Sequence, residues 1–260
     1  MLKVQVLVAT MNQTDYSLLD KMNIQTDAVV INQCDKTSLE IIERNGNKIT
    51  WVNTEQRGLS KSRNMALSYA SGDICLIADD DIRYLDGYEN VVLNAYNSQR
   101  KADFIAFNML TENDKNHFSR RQNKKNRKSK KNEYYCSVRL SFKLAKINKF
   151  GIRFNELFGA GSKFGSGEES IFINACRKNG LKIYQNTNSV CVVDCSQSSW
   201  FNGFDERYYF DKGAFLAVVY PKTSWIYKWY FVLQSRKHSN LKCKVVSMNI
   251  KKGIKYYSNL

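Results

Sequence analysis

The chain has 260 residues, 43% of them hydrophobic and 25% charged, and this ordinary globular composition predicts one large domain, alone or with an appendage. A single proline excludes proline-rich linkers, and no apolar run reaches the length of about 18 residues that predicts a membrane-spanning helix. Seven scattered cysteines without a C-x-x-C pair exclude a zinc signature and indicate reduced thiols in a cytosol. The short apolar stretch at the N-terminus predicts a first strand and no signal peptide.

The formal charge of +16 is concentrated in two segments. Nine Lys or Arg and no acid lie between Lys115 and Lys131, and ten Lys or Arg follow Asp211 without a further acid. The first hundred residues are close to balanced. The pattern therefore predicts a nearly neutral front with a basic insertion and a basic tail.

Short apolar runs, each typical of a strand buried on both faces, open the chain. They are Val4–Thr10, Asp27–Gln33, Lys48–Thr54 and Asp73–Asp79, and Asp103–Leu110 follows them. Helix-like segments at residues 15–22 and 36–46 separate the first three runs, with Gly46 predicted to end the second helix. The alternation predicts an α/β layered fold with a parallel sheet.

The later elements are predicted as helices around one polar loop. Ser60 is expected to cap a helix that Gly72 closes. The polar, basic residues around 115–131 predict an exposed, mobile loop. A helix from Glu168 to Asn179, stopped by Gly180, is predicted to lead into another strand.

Three adjacent carboxylates, Asp79 to Asp81, directly follow a predicted buried strand. Ligands of open α/β sheets bind beyond the carboxyl ends of the strands, and clustered carboxylates there suit Mg²⁺ or Mn²⁺ shared with a phosphate compound. A solvated turn without a ligand remains the alternative, because aspartates are common in turns.

Three cations, Arg57, Lys61 and Arg63, surround the predicted start of the helix before this strand. Helix N-termini bind anions through free N–H groups, so the segment predicts a diphosphate site next to the carboxylates. The alternative is an exposed basic helix face.

The strings around these residues resemble the family 2 glycosyltransferases of GT-A fold. In chain order they are VLVATMN, INQCD, RGLSKSRNMALSYASGDICLIADDD and GSGEES. The resemblance covers about residues 1–200, and its most specific part is the run from Arg63 to Asp81. It implies a GT-A-like (Rossmann-like) α/β fold with a mixed, mainly parallel sheet flanked by helices. A basic helical tail is predicted to follow.

The resemblance also implies a nucleotide-sugar donor, usually UDP-linked, and a divalent metal, Mn²⁺ or Mg²⁺, on a D-x-D motif. The matching residues are Asp79, Asp80 and Asp81. The commoner family pattern, D-x-D-D, would place its first acid at Ala78. Which aspartate meets the ribose and which the metal is therefore open, with Asp80 or Asp81 favoured for the metal.

Other positions match the family one by one. Thr10 and Asn12 match residues that line the base and ribose, Asp35 matches the acid that reads the uracil, and Arg63 matches an arginine near the nucleotide. Together with Arg57, Lys61 and Asp79, they are the predicted donor-binding residues.

Inverting transfer requires a base that takes the proton of the acceptor hydroxyl. The resemblance implies this role for the second acid of the G-E-E element, Glu169, with Glu168 beside it. From the residues alone, a helix N-terminus that favours two glutamates is the better explanation, and the resemblance reverses that preference. The glycine-rich stretch before them, residues 158–167, is predicted to form the floor of the acceptor site.

Many relatives carry a histidine after the next strand that completes the metal or phosphate site. This chain has only His117 and His238, and Asp194 stands in roughly that region as a candidate replacement. His238 is predicted to be a surface residue of the basic tail.

We predict a GT-A catalytic domain over residues 1–210 and a basic aromatic extension over 211–260. The domain comprises a nucleotide-sugar-binding part (1–110), a basic loop (111–133) and an acceptor part (134–210). The tail's aromatic residues, Trp225 and Trp229 among them, predict either peripheral contact with an anionic membrane or packing onto the domain.

The predicted function is metal-dependent, inverting transfer of a sugar to a saccharide or lipid-linked acceptor. The setting is synthesis of a bacterial surface polysaccharide (capsule or exopolysaccharide), in the cytoplasm at the inner face of the cell membrane. A nucleotidyltransferase is the first alternative, but VATMNQTDY lacks the glycine-rich loop of that class. A nucleic-acid-binding protein is the second; it has charge in its favour but no recognised motif, so no nucleic-acid partner is expected.

Overall fold

The computed structural model describes residues 2–112, 122–194 and 203–260. Within them lies one ten-stranded mixed sheet with the order β3-β4-β2-β1-β5-β9-β7-β10-β6, and β8 pairs with β10. The strands are β1 Val4–Met11, β2 Asp27–Gln33, β3 Ser38–Arg44, β4 Asn47–Thr54, β5 Ile74–Asp79, β6 Ile82–Tyr84, β7 Phe104–Glu112, β8 Arg127–Lys128, β9 Leu140–Lys143 and β10 Ile183–Asp194.

Helices cover both faces of this sheet, and the last three of them pack mainly on each other. They are α1 Leu18–Lys21, α2 Leu59–Tyr69, α3 Tyr88–Ser98, α4 Leu144–Lys149, α5 Glu168–Lys178, α6 Glu206–Val219, α7 Ser224–Ser235 and α8 Cys243–Ser258. The predicted α/β architecture is confirmed, and the predicted runs correspond to β1, β2, β4, β5 and β7. Among the described helices, none has the length and apolarity needed to cross a membrane.

The alternation of side chains along the central strands produces two cores. Val6, Val8 and Val30 pack on one face against α1 and α3, while Leu7 and Val29 pack on the other against α2, α4 and α5. Strands β4, β2, β1 and β5 are neighbours and parallel, so their carboxyl ends lie along one edge of the sheet.

The sheet must curl, because β5 and β6 are adjacent in sequence but far apart in strand order. Three strands, β9, β7 and β10, stand between them. A flat sheet would separate β5 from β6 by about 19 Å, at about 4.8 Å per strand. The link through Asp80 and Asp81 spans at most about 11 Å. The far part of the sheet therefore bends back toward the end of β5.

The helix predicted over residues 36–46 is wrong, because Ser38–Arg44 forms edge strand β3, paired antiparallel with β4. Asn45 and Gly46 both have positive φ, 52° and 77°, as a tight hairpin turn of the primed type requires. Asn-Gly between two β-branched runs is a hairpin signal, so Gly46 completes the turn.

The predicted ends of the next helix also differ from the structure. Gly58 occupies the cap position of α2, and the Ser60 hydroxyl donates instead to the carbonyl of Phe158 at 2.6 Å. The helix ends at Tyr69, before Gly72. Gly72 lies where a β-carbon would meet Gln5 of β1, so this glycine serves packing against the sheet.

Part of the predicted basic loop is ordered. Residues 113–121, including His117, lie outside the described residues, but Asn123 is buried and its amide nitrogen donates to the carbonyls of Ala106 and Asn186. Strand β8 then pairs with β10. The second half of the segment is thus held at Asn123 and by β8, while its lysines are exposed as predicted: Lys124, Lys125, Lys128, Lys130 and Lys131.

Helices α6 and α8 approach each other through two glycines. A β-carbon on Gly213 would overlap the carbonyl oxygen of Ile250, and one on Gly253 would overlap that of Phe210. The absence of side chains at this crossing lets the two backbones touch. Helix α6 runs across the predicted division at residues 210/211, which remains a prediction.

We expect Gly253→Ala to destabilise the protein by about 1–3 kcal/mol, because the added methyl group forces two packed backbones apart. Thermal unfolding followed by circular dichroism measures the change. Lys252→Ala, one position away on the exposed side of α8, is the control. A Gly253→Ala protein that melts with the control would contradict this account of the crossing.

Candidate functional site

The candidate site lies where β1 and β5 end side by side. Ala9 of β1 is level with Asp79 of β5. The next residue of β1, Thr10, is buried and its hydroxyl donates to the Asp80 carboxylate at 2.6 Å. The structure therefore brings Thr10 together with the predicted aspartates.

Arg63 is the buried centre of the site. Its Nη2 lies 2.8 and 3.1 Å from the two Asp79 oxygens, and its Nη1 lies 3.1 Å from Glu168 and 3.8 Å from Glu169. Burial alone would lower the pKa of Arg63, but the charges of Asp79, Glu169 and Glu168 outweigh it and raise that pKa above its usual value. One guanidinium thus joins the aspartate turn to the start of α5.

The burial of Arg63 changes the interpretation of the predicted cation cluster. Arg57 donates to Asp35 at 2.6 Å and to the carbonyls of Cys34 and Thr54. Lys61 is exposed on α2, and no ion pair within the described ranges involves it. The three cations therefore do not form one patch.

The start of α2 is partly occupied by the protein itself. The N–H of Gly58 donates to Gln33 Oε1 at 2.7 Å, and the N–H of Leu59 donates to the carbonyl of Ala160 at 3.0 Å. Two backbone donors predicted to face an anion are thus bonded within the chain, while Lys61 stays open beside them.

The three aspartates have different surroundings. Asp79 accepts from Arg63 and, at 2.8 Å, from the hydroxyl of Ser137. Asp80 and Asp81 form the turn between β5 and β6. Partial burial of its carboxyl group, with the charges of Asp79 and Asp80, raises the pKa of Asp81 to about 6. Crowded negative charge is therefore concentrated at the turn.

Asp194, the candidate replacement for a histidine, is the last residue of β10 and lies beside the same turn. Its backbone N–H lies 3.4 Å from the carbonyl oxygen of Asp81, and its charge adds to the raised pKa of Asp81. His238 instead stacks on Phe204 in the turn after α7, away from the aspartates. Asp194 is thus placed beside the carboxylate cluster.

These residues suit a divalent cation that is shared with a phosphate group. In the described part of the chain, no group of three or more His, Cys, Asp or Glu side chains forms a closed metal cage. Mg²⁺ is usually held by one or two carboxylates together with substrate phosphates and water. Asp80 and Asp81 offer hard oxygen donors, and a cation would relieve the repulsion that adds to the effect of burial on the pKa of Asp81.

The predicted base-binding residues lie at the ends of neighbouring strands. Asn12, in the left-handed region at φ 55°, donates its N–H to the carbonyl of Gln33. Asp35 follows β2 and is almost fully exposed, with Arg57 as its partner. A buried residue that sequence reasoning missed, Asn32, holds this edge by two hydrogen bonds to the Gln13 backbone.

The two glutamates differ in exposure. The Glu168 side chain is only 5% exposed and bonded to Arg63, whereas that of Glu169 is 22% exposed. Burial and the neighbouring charge of Glu168 raise the pKa of Glu169 to about 8, against the opposing effect of Arg63. Glu169 is therefore the carboxyl group of the pair with access to a ligand.

The glycine-rich stretch packs against this pair. Gly159 has φ 107°, and a β-carbon there would lie 3.2 Å from Glu168 and 3.3 Å from the Ser60 hydroxyl. The glycines of this stretch therefore let its backbone pack closely against α2 and α5 of the same chain. A role as the floor of the acceptor site stays a prediction.

Ser137 is a second residue that the sequence did not indicate. It begins a short 3₁₀ helix, Ser137–Arg139, and reaches Asp79 from a segment 58 residues away along the chain. No motif surrounds it, so only the fold reveals the contact.

Solved structures with the same arrangement of elements are GT-A glycosyltransferases. The structure matches S. aureus TarS 1–349 in complex with UDP-GlcNAc with a TM-score of 0.64 at 15% identity, over 99% of this chain and 73% of that chain. It also matches a mannosyltransferase from Pyrobaculum calidifontis in complex with GDP-Man and Mn²⁺ with a TM-score of 0.53 at 12% identity, over 99% and 87% of the two chains. In another structure of S. aureus TarS, the chain covers 43% of that longer chain, with a TM-score of 0.61 at 17% identity.

The sequence places the chain within this class of enzymes. The profile described as Glycosyl transferase family 2 matches residues 9–159, which include the aspartate turn. No curated protein matches the chain. The chain belongs to glycosyl transferase family 2 and is a glycosyltransferase.

We expect Arg63→Met to lower the free energy of unfolding by about 3–5 kcal/mol, because it leaves buried carboxylates without a counter-charge. Urea unfolding followed by circular dichroism measures this. Lys61→Met, exposed on the same helix, should change stability by less than about 0.5 kcal/mol. Equal losses in the two variants would show that the buried ion pairs do not stabilise the fold.

Proposed function

We propose that the protein is a metal-dependent, inverting glycosyltransferase that moves a sugar from a UDP-sugar to a saccharide or lipid-linked acceptor. The observation that carries the proposal is the double ion pair of Arg63 with Asp79 and with Glu168. Through these ion pairs, the aspartate turn, proposed to bind the donor, lies next to the glutamate pair, proposed to face the acceptor. Such a site suits a reaction in which a diphosphate leaves while a hydroxyl attacks.

The donor side is proposed to comprise the ends of β1, β2 and β5. Thr10 and Asn12 line the base and ribose, Asp35 reads the base, and Asp79 fixes the turn. TarS has been solved with UDP and with UDP-GlcNAc, which supports a uridine donor. The mannosyltransferase complex contains GDP-Man, so the base is a question for direct measurement.

The proposed metal residues are Asp80 and Asp81. A bound Mn²⁺ or Mg²⁺ supplies charge neutralisation for the leaving diphosphate. Arg63 keeps both oxygens of Asp79 engaged, and Thr10 orients Asp80. These contacts leave Asp81 as the carboxylate with the most to gain from a cation. Lys61, exposed near the start of α2, is proposed to contact a phosphate oxygen.

Glu169 is proposed as the base and Glu168 as its positioning partner. The acceptor oxygen forms a bond to the anomeric carbon, the bond from that carbon to the diphosphate oxygen breaks, and the hydroxyl proton passes to Glu169. Attack from the face opposite the leaving group inverts the anomeric centre. Glu168 stays bonded to Arg63 and holds the start of α5 in place.

The proposed setting is the cytoplasm, in synthesis of a bacterial surface polysaccharide. Six cysteines in the described residues are free, which suits a reducing compartment. An acceptor carried on a lipid would bring the reaction to the inner face of the cell membrane.

The first test is calorimetric titration of UDP, GDP, CDP and duplex DNA, each with Mn²⁺ and with EDTA. We expect UDP to bind only in the presence of the metal, because the carboxylate turn alone repels a diphosphate. Asp81→Asn should abolish this binding while the fold is retained. Asp73→Asn, at the opposite end of β5, is the matched control. DNA binding that vanishes in salt, with no nucleotide binding, would overturn the proposal.

We expect Glu169→Gln to bind UDP normally and to lose transfer by about 10²–10⁴-fold, the usual contribution of a positioned base. Glu156→Gln, an exposed glutamate before the glycine-rich stretch, should keep activity. Full activity in Glu169→Gln would show that Glu169 is not the base. If Glu168→Gln were then inactive, Glu168 would be the next candidate for the base.

The raised pKa of Glu169 gives the transfer reaction a pH dependence. The base works as a carboxylate, so kcat/KM should rise with pH and level off above about 8. Rates measured from about pH 7 to about pH 9, above the pKa of Asp81, should show this ionisation in the native enzyme. The profile of Glu169→Gln should be flat in the same range. A native profile without this ionisation would show that Glu169 is not the base.

A further inference from the structure

Helix α7 presents a face to solvent that carries only apolar and aromatic side chains. The face is defined by five residues spaced at helical intervals, and each is at least half exposed. They are Trp225, Ile226, Trp229, Tyr230 and Leu233, with exposures from 50% to 64%. A helix on the surface of a soluble protein ordinarily points polar residues outward, so the polarity of α7 is reversed.

The opposite side of α7 is already packed, which fixes the direction of this aromatic face. Val232 and Ser235 are buried against the other tail helices. Tyr227 stacks on Tyr220 with ring centroids 3.8 Å apart. The aromatic face therefore cannot turn inward without breaking these contacts.

Exposed basic residues lie at both ends of α7 and on the helix packed beside it, α8. Lys222 precedes α7, and Arg236 and Lys237 follow it, all three exposed. The outward side of α8 adds further exposed lysines, which are Lys244, Lys251, Lys252 and Lys255. No acid follows Asp211 in the sequence, so α7 and α8 themselves carry no acidic residue.

We propose that the aromatic face of α7 inserts into the headgroup region of a bilayer containing anionic lipids. Trp and Tyr favour the membrane–water interface, and Lys and Arg beside them bind anionic headgroups. A second copy of the chain fits less well, since it would bring the same positive charge to the same face. The bilayer matches both the apolar and the charged parts of the surface.

The anchor is connected to the candidate site through α6. Asp211 accepts from the backbone N–H of Gly165 at 2.9 Å, and Phe215 packs against Gly167, the residue before the two glutamates. Helix α6 thus packs both on α7, which carries the aromatic face, and on the residues that lead into α5. If the proposed transfer is correct, a lipid-linked acceptor would meet Glu169 at a constant height above the bilayer.

The test is flotation of the purified protein with vesicles of phosphatidylcholine alone and of phosphatidylcholine with phosphatidylglycerol. We expect binding to the anionic vesicles, weakened by salt. The triple variant Trp225→Ser, Trp229→Ser, Leu233→Ser should bind about tenfold or more weakly, because it removes the inserted apolar area. Charge reversal by Lys222→Glu and Lys237→Glu should reduce binding to anionic vesicles and leave any binding to neutral ones unchanged.

The matched control is Leu39→Ser with Ile41→Ser, two exposed apolar residues on edge strand β3. It should bind vesicles like the native chain. Equal binding by the triple variant, or no binding by the native chain, would overturn the proposal. So would a native dimer that the triple variant dissociates in light scattering, since a second copy would then cover the face.

UDP binding by the triple variant separates this proposal from the catalytic one. Its affinity for UDP with Mn²⁺ should equal that of the native chain, because α7 packs mainly on α6 and α8 and not on the strands that carry the aspartates. Vesicle binding without UDP binding would leave the anchor intact and remove the transferase mechanism.

Discussion

A guanidinium group that is shielded from water needs carboxylates and hydrogen-bond acceptors around it, and Arg63 finds them in separate parts of the chain. Asp79 comes from the end of a central strand and Glu168 from the first residue of α5. Because neither carboxylate can be withdrawn without leaving a buried charge, their separation is fixed before any ligand arrives. Preorganisation of this kind reduces what a ligand must order on binding. The glycine-rich stretch and Ser137 then close around this ion-paired centre.

The parts of the fold that could be predicted from sequence are those whose signal is local. β1, β2 and β5 are buried on both faces, so their apolar runs are continuous and easy to recognise. The hairpin of β3 and β4 has an equally local signal in Asn45-Gly46, but the apolar spacing of residues 39–42 also fits a helix, and that fit misled. Strand β9 lies between β5 and β7 in space, a placement that its sequence does not reveal.

The candidate site divides in the same way. The aspartates could be located because a buried strand ends at Asp79, and strand ends of a parallel sheet lie on one edge. The burial of Arg63 could not be predicted, since the residues that approach it, Glu168 and Phe154, lie about a hundred residues further along the chain. Whether Trp225 and Trp229 point inward or outward could not be predicted either, because the sequence is compatible with both. The tertiary contacts on the opposite side of α7 turn both side chains toward solvent.

The curl of the sheet places the aspartate turn between the end of β5 and the far edge of the same sheet. Asp80 and Asp81 are the covalent link between the strands that begin the fold and the far edge formed by β6 and β10. Hydrogen-bonded strands β9, β7 and β10 join the same two parts, and the turn closes the curl through the chain itself. The carboxylates of the turn consequently lie where the end of β5 meets the far edge of the sheet, with Thr10 bonded on one side and Asp194 on the other.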